Sequence, residues 1–183
     1  MLNTDSALAW HEDAHGLLLL RLERGEAAVR LGTDKVVDIE AAGRHARLSS
    51  GLFDARLYPS GCEIAVLGDG VIRTAAGKIA RRHEIVRLDG SELVTVAHPA
   101  ELDATMAWQA GEILFRDEPL SSAIMEYNRY LRRKIVIVDP RIGAIRIGGR
   151  FTTDDPASFL DALRAGFDID VRRTENGFAL ARM

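Results

Sequence analysis

The sequence predicts an α+β chain. Its first half is all β, either a sandwich or a solenoid-like stack, and a small two-layer domain of two βαβ units follows. Three observations predict this. Short apolar runs separated by glycine-bearing turns fill residues 1–97, which favours strands over helices. After His98-Pro99 the apolar period lengthens to that of a helix. The new pattern of strand, helix and strand then occurs twice.

Residues 17–22 are an apolar run that ends before Arg24-Gly25. Residues 27–31 follow and stop at Gly32, and residues 36–39 form the next run. Phe53, Ala55 and Leu57 alternate with Asp54, Arg56 and Tyr58, a period of two. Pro59-Ser60-Gly61 is a turn cluster. Residues 64–67 lead into the turn Gly68-Asp69-Gly70, and residues 71–74 follow it. Residues 85–88 meet Asp89-Gly90, a hairpin signal, and residues 93–96 complete the set.

Residues 101–109 read as a short helix stopped by Gly111. We therefore place an all-β domain at 1–99, a linker with a short helix at 100–111 and the βαβ–βαβ domain at 112–183. In the latter, residues 113–115 are a strand. Asp117 is a candidate helix cap and Pro119 a first-turn residue. Leu120, Ala123, Ile124, Tyr127 and Leu131 then form one apolar stripe. Residues 135–138 are a continuous β-branched run, as a buried strand requires. In the second unit Ile145, Ile147, Gly149 and Phe151 lie on one side of a strand. Asp155-Pro156 opens a helix with Phe159, Leu160 and Leu163 inward, and Gly166 is its candidate C-terminal cap. Phe167, Ile169 and Val171 begin the next strand, and Asn176-Gly177 signals a type I′ hairpin.

The 183 residues are 47% hydrophobic and 28% charged, which suits folded cores rather than disorder. A net charge of −3 with scattered basic residues gives no nucleic-acid or anionic-membrane footprint. Cys62 stands alone, so no internal disulfide is possible. No apolar stretch is long enough to cross a membrane as a helix.

His11-Glu12-Asp13-Ala14-His15 matches H-E-x-x-H, which on a helix would set two imidazoles and a general base around zinc. Gly16 and a strand-like leucine run follow at once, so a polar turn is the reading the context favours. Gly68-Asp69-Gly70 lacks the further glycines and following helix of a phosphate loop. Nothing pairs Cys62 with a base. In Tyr127-Asn128-Arg129-Tyr130, Tyr127 belongs to the 120–131 stripe and Tyr130 falls near its edge beside Arg129, a composition that suits a protein interface and equally a helix packing and solvating its ends. No catalytic constellation, resident metal or cofactor is expected.

Several segments resemble the periplasmic part of the FecR family, transmembrane anti-sigma regulators of the iron-dicitrate-sensor type. Residues 2–8 are similar to that family's LNTDSxL strand, and Leu22-Glu23-Arg24-Gly25-Glu26-Ala27 to its rGEA turn. Residues 66–71 stand where the family has V.eG.V. Trp108, Gly111, Phe115, Pro119-Leu120 and Asn128-Arg129-Tyr130 resemble its W..G…F…pL…nRY segment, and Gly149, Phe151 and Asp155 its G.F…d. The family's GT.F is represented only by Ser50-Gly51-Leu52-Phe53. The last part resembles an STN domain, the short module shared by secretins and TonB-dependent receptors.

The resemblance implies a non-catalytic module for cell-surface signalling in iron-transport regulation. It would sit in the periplasm and bind the signalling domain of a TonB-dependent outer-membrane transporter. A sigma factor would be reached only through a cytoplasmic segment and a membrane helix preceding Met1, so a longer parent protein is expected. Two docking modes follow. One is strand addition at the small sheet. The other is the helix face with Leu120, Ile124, Tyr127, Asn128, Arg129 and Tyr130. Two rival expectations are a stand-alone envelope module that binds a glycan or small ligand, and a zinc hydrolase using His11, Glu12 and His15.

Overall fold

Two long strands organise the first half: β3 (Glu26–Ala41) and β4 (Arg44–Tyr58), joined at Ala42-Gly43 into one antiparallel ribbon. The computed structural model describes residues 1–183 and divides into two compact units, Met1–Thr105 and Met106–Met183. The first unit also contains β1 (Ala7–Glu12), β2 (Leu18–Arg24), β5 (Gly61–Val66), β6 (Val71–Thr74), β7 (Ile79–Ala80), β8 (Glu84–Leu88) and β9 (Leu93–Val96). Strands β1 and β2 join the second half of β3, while β6 and β7 join the first half of β4. Strands β5, β8 and β9 extend instead from the second half of β4. The ribbon therefore belongs to two layers, and one apolar core joins them. Leu22, Ile39, Leu48 and Ile72 from one layer meet Phe53, Ile64, Val66 and Leu88 from the other.

The two runs read as separate strands at 27–31 and 36–39 are one strand bent by a bulge. Such bulges let a strand pass from one layer to the next. Opposite the bulge, β4 bends at Ser50-Gly51, where Gly51 has φ +124°. A Cβ there would lie 1.7 Å from the Asp69 carbonyl oxygen. Gly70 is equally constrained, because a Cβ would meet the Ser50 carbonyl at 2.4 Å and the Phe53 ring at 2.7 Å. Backbone thus crosses backbone with no room for side chains, and this is what the 50–53 and 66–71 segments provide.

The first helix, α1 (Pro99–Ala107), lays Leu102 against Ala65, Ile85 and Ala97, and a 3-10 turn (Trp108–Ala110) follows. The second unit runs β10 (Glu112–Pro119), α2 (Leu120–Tyr130), β11 (Lys134–Ile137), β12 (Arg146–Thr152), α3 (Ala157–Phe167), β13 (Ile169–Thr174) and β14 (Gly177–Arg182). The mixed α+β class holds. The strand pairing interleaves the two repeats: β10 pairs antiparallel with β12, while β11 joins a three-stranded sheet in the order β11-β14-β13. Leu120, Ala123, Ile124, Tyr127 and Leu131 of the stripe are all buried, as are Phe159, Leu160 and Leu163. Phe115, Tyr127, Phe151 and Phe159 form an aromatic nucleus with ring centroids 4.8–6.3 Å apart.

Three local expectations need correction. Asp117 does not cap α2. It sits at φ +52° in a bulge of β10, and the first N–H groups of α2 donate instead to the Ile145 and Gly143 carbonyls. Gly166 lies inside α3, and the left-handed residue that ends this helix is Asp168. The β13–β14 loop is Glu175-Asn176, both with negative φ, so the turn is not type I′. Gly177 begins β14, where a Cβ would lie 1.9 Å from the Lys134 carbonyl oxygen. A close approach, rather than a turn, demands that glycine.

Candidate docking surfaces

The H-E-x-x-H segment forms no metal centre. His11 and Glu12 close β1, and residues 13–17 are the hairpin loop, in which the Asp13 carboxylate accepts from the His15 and Leu17 N–H groups. Adjacent strand residues point to opposite faces, so the helical geometry that would converge the two imidazoles does not exist. No group of three or more metal-ligating side chains occurs in the structure. Burial pushes the Cys62 thiol up to about 12. The thiolate that nucleophilic chemistry needs is therefore suppressed. The 280 Å³ cleft beside it offers Glu63 and Arg87, which pair with each other.

The 120–130 helix face divides in two. Leu120, Ile124 and Tyr127 point into the core, and both Leu120 and Tyr127 are 0% exposed. They cannot form a docking face without unfolding the unit. The Tyr127 hydroxyl donates to the Thr152 carbonyl, and burial raises its pKa to about 12. Asn128 donates from Nδ2 to the Ile135 carbonyl and accepts from the Ile135 N–H, each at 2.8 Å. Arg129 pairs with Glu126 at 2.8 Å and lies 6.0 Å from the centre of the Tyr130 ring. Tyr130 itself packs against the core. The docking composition read from the sequence is thus mostly structural work inside the unit.

The edges of the two small sheets are the other candidate. The Thr153 N–H donates to the Gly111 carbonyl at 2.9 Å, which sets the phase of the β10–β12 ladder. By antiparallel alternation, Glu112 and Leu114 turn their backbone groups away from β12. No strand pairs with that side of β10. On β12 the outward Thr152 carbonyl is taken by Tyr127. Sequence reasoning missed this contrast because it depends on ladder phase, which no residue pattern encodes.

The motifs of the resemblance meet in space as structural pairs. Asn3 Nδ2 donates to the Glu26 carboxylate at 2.6 Å, the Asn3 N–H donates to the Glu26 carbonyl at 3.0 Å, and Ser6 Oγ accepts from the Glu26 N–H at 2.8 Å. Arg56 approaches Glu26 at 3.9 Å. A Cβ on Gly25 would lie 2.1 Å from Ser6 Oγ. Residues 2–8 are not one strand but a bridge at Leu2, a turn and the start of β1, and together with the rGEA-like turn they form one knot.

No protein-family model matches the chain, and no curated protein matches it. Solved structures do. Two are crystal structures of proteins provisionally assigned as anti-sigma factors, both from Parabacteroides distasonis ATCC 8503. The first has a TM-score of 0.76 at 18% identity, covering 100% of this chain and 89% of that one. The chain shares its fold. The second has a TM-score of 0.69 at 16% identity, covering 100% and 98%. Fold likeness thus extends over both units, each of mixed or all-β character as described.

Proposed function

We propose that the chain is a periplasmic signalling module of the FecR-like type, receiving its signal by binding the signalling domain of a TonB-dependent outer-membrane transporter. The observation that carries this reading is the fold shared along the full chain with two proteins provisionally assigned as anti-sigma factors. The paired motifs support it, because segments that resemble the family are the ones that hold this fold together. A sigma factor would be reached through a segment outside these 183 residues, and no chemistry by this chain is required.

Docking proceeds by strand addition along the outer side of β10. An extended partner segment would bond to the outward groups of Glu112 and Leu114, with main-chain bonds giving affinity and flanking side chains giving choice. Differential binding to one state of the module then transmits the signal.

The test is titration of the chain against purified transporter signalling domains. Binding at micromolar concentration supports the reading, and no binding by any of them at high micromolar concentration counts against it. Leu114→Pro deletes an outward donor without breaking the β10–β12 ladder. It should weaken binding about tenfold or more, the worth of a lost hydrogen bond and a disturbed edge. Leu114→Ala should bind nearly as wild type.

A further inference from the structure

Two helix side chains stand against the outer edges of the three-stranded sheet. The Val138 N–H donates to the Leu180 carbonyl at 2.9 Å, so the even-numbered residues of β11 face β14, and Ile135 turns outward. Asn128 of α2 meets both outward groups of Ile135. At the opposite edge, the Met183 N–H donates to the Asp168 carbonyl at 3.0 Å, which turns Val171 of β13 outward. Arg164 Nη2 of α3 donates to the Val171 carbonyl at 3.1 Å. In both cases the bond spans seven residues. Asn128 and Arg164 occupy the same place in the two βαβ repeats, as do Ile135 and Val171, and Phe115 and Phe151. Different side-chain chemistry has been put to one use.

The β11 edge needs such cover. Residues 135–138 are all β-branched and apolar, with neither charge nor proline. Val136 is 53% and Val138 60% exposed on the outer face. An uncharged, β-prone edge of this kind pairs readily with an identical segment of another molecule.

We propose that Asn128 and Arg164 are edge guards that keep the three-stranded sheet from adding a strand from a second copy of this chain. An amide that supplies one donor and one acceptor imitates the next strand at Ile135, and a guanidinium occupies the outward carbonyl of Val171. Neither a transporter nor any other partner enters this argument, so it stands apart from the signalling reading.

The test uses the full chain as Asn128→Ala, Arg164→Ala and the double variant, compared with wild type by sedimentation velocity and by circular dichroism. The double variant should self-associate at least about tenfold more tightly than wild type. Adding the exposed substitution Val136→Lys to Asn128→Ala should reverse that variant's gain, because a charge on the β11 edge blocks pairing there. Folded variants that sediment as wild type overturn the proposal, and so does association of Asn128→Ala that Val136→Lys leaves unchanged. If Asn128→Ala does not fold, Arg164→Ala decides. Its side chain is 45% exposed, so the fold tolerates its loss, and unchanged sedimentation of that variant overturns the proposal.

Discussion

Gly51 holds a backbone conformation that L side chains rarely adopt, and it does so where the Asp69 carbonyl leaves no space. Neither effect can relax without separating β4 from the turn after β5. Gly51→Ala should therefore destabilise the first unit by about 3 kcal/mol or more, which denaturant unfolding would measure. Asp38 and Arg47 are register partners on β3 and β4, with two bonds of 2.7 and 2.9 Å. The Arg47 guanidinium holds the Asp38 carboxyl below its ordinary value. A lowered folded pKa means that the pair stabilises the protein above the ordinary carboxylate pKa of about 3.9. That stability is lost as pH falls through the lowered value. Asp38→Asn should melt below wild type at neutral pH, and the difference should shrink toward zero in melts carried into strong acid.

At the level of elements, the helical stripes were legible because burial imposes a 3.6-residue period on them, and every stripe residue from Leu120 to Leu131 is inside. The strands of the first half were legible as runs, yet their union into β3 and β4 was not. A bulge and a left-handed bend preserve one ladder through residues such as Gly32 and Gly51 that look like terminators. The short strands β1 and β7 were missed, since the exposed face of β1 shows no alternation. Asn128 and Tyr127 read as interface residues because polar and aromatic groups at a stripe edge suit a partner. Here that partner is the chain's own backbone. Tyr127→Phe removes the donor to the Thr152 carbonyl while keeping the ring in its aromatic nucleus. It should cost about 1 kcal/mol, seen as a lower midpoint in denaturant with an unchanged slope.

Across the whole molecule, apolar burial falls into separate clusters, with the large core of the first unit sharing no residue with that of the second. Each unit can therefore be expected to fold on its own. The excised segment 106–183 should give a cooperative thermal transition and dispersed amide resonances, and a molten spectrum would contradict this. Separate cores matter little to a protein at rest, but the knot around Glu26 matters under load. The Ala28 N–H donates to the Met1 carbonyl at 2.9 Å, Leu2 bridges Ala27, and Asn3 is tied twice to Glu26. A pull applied at Met1 thus passes straight into β3, bypassing the β1–β2 hairpin. Strand β3 is in turn paired along most of its length with β4, so such a load reaches the longest ladder of the unit. The first unit is in this sense built so that load entering along residues 1–3 is carried into its longest strand pair.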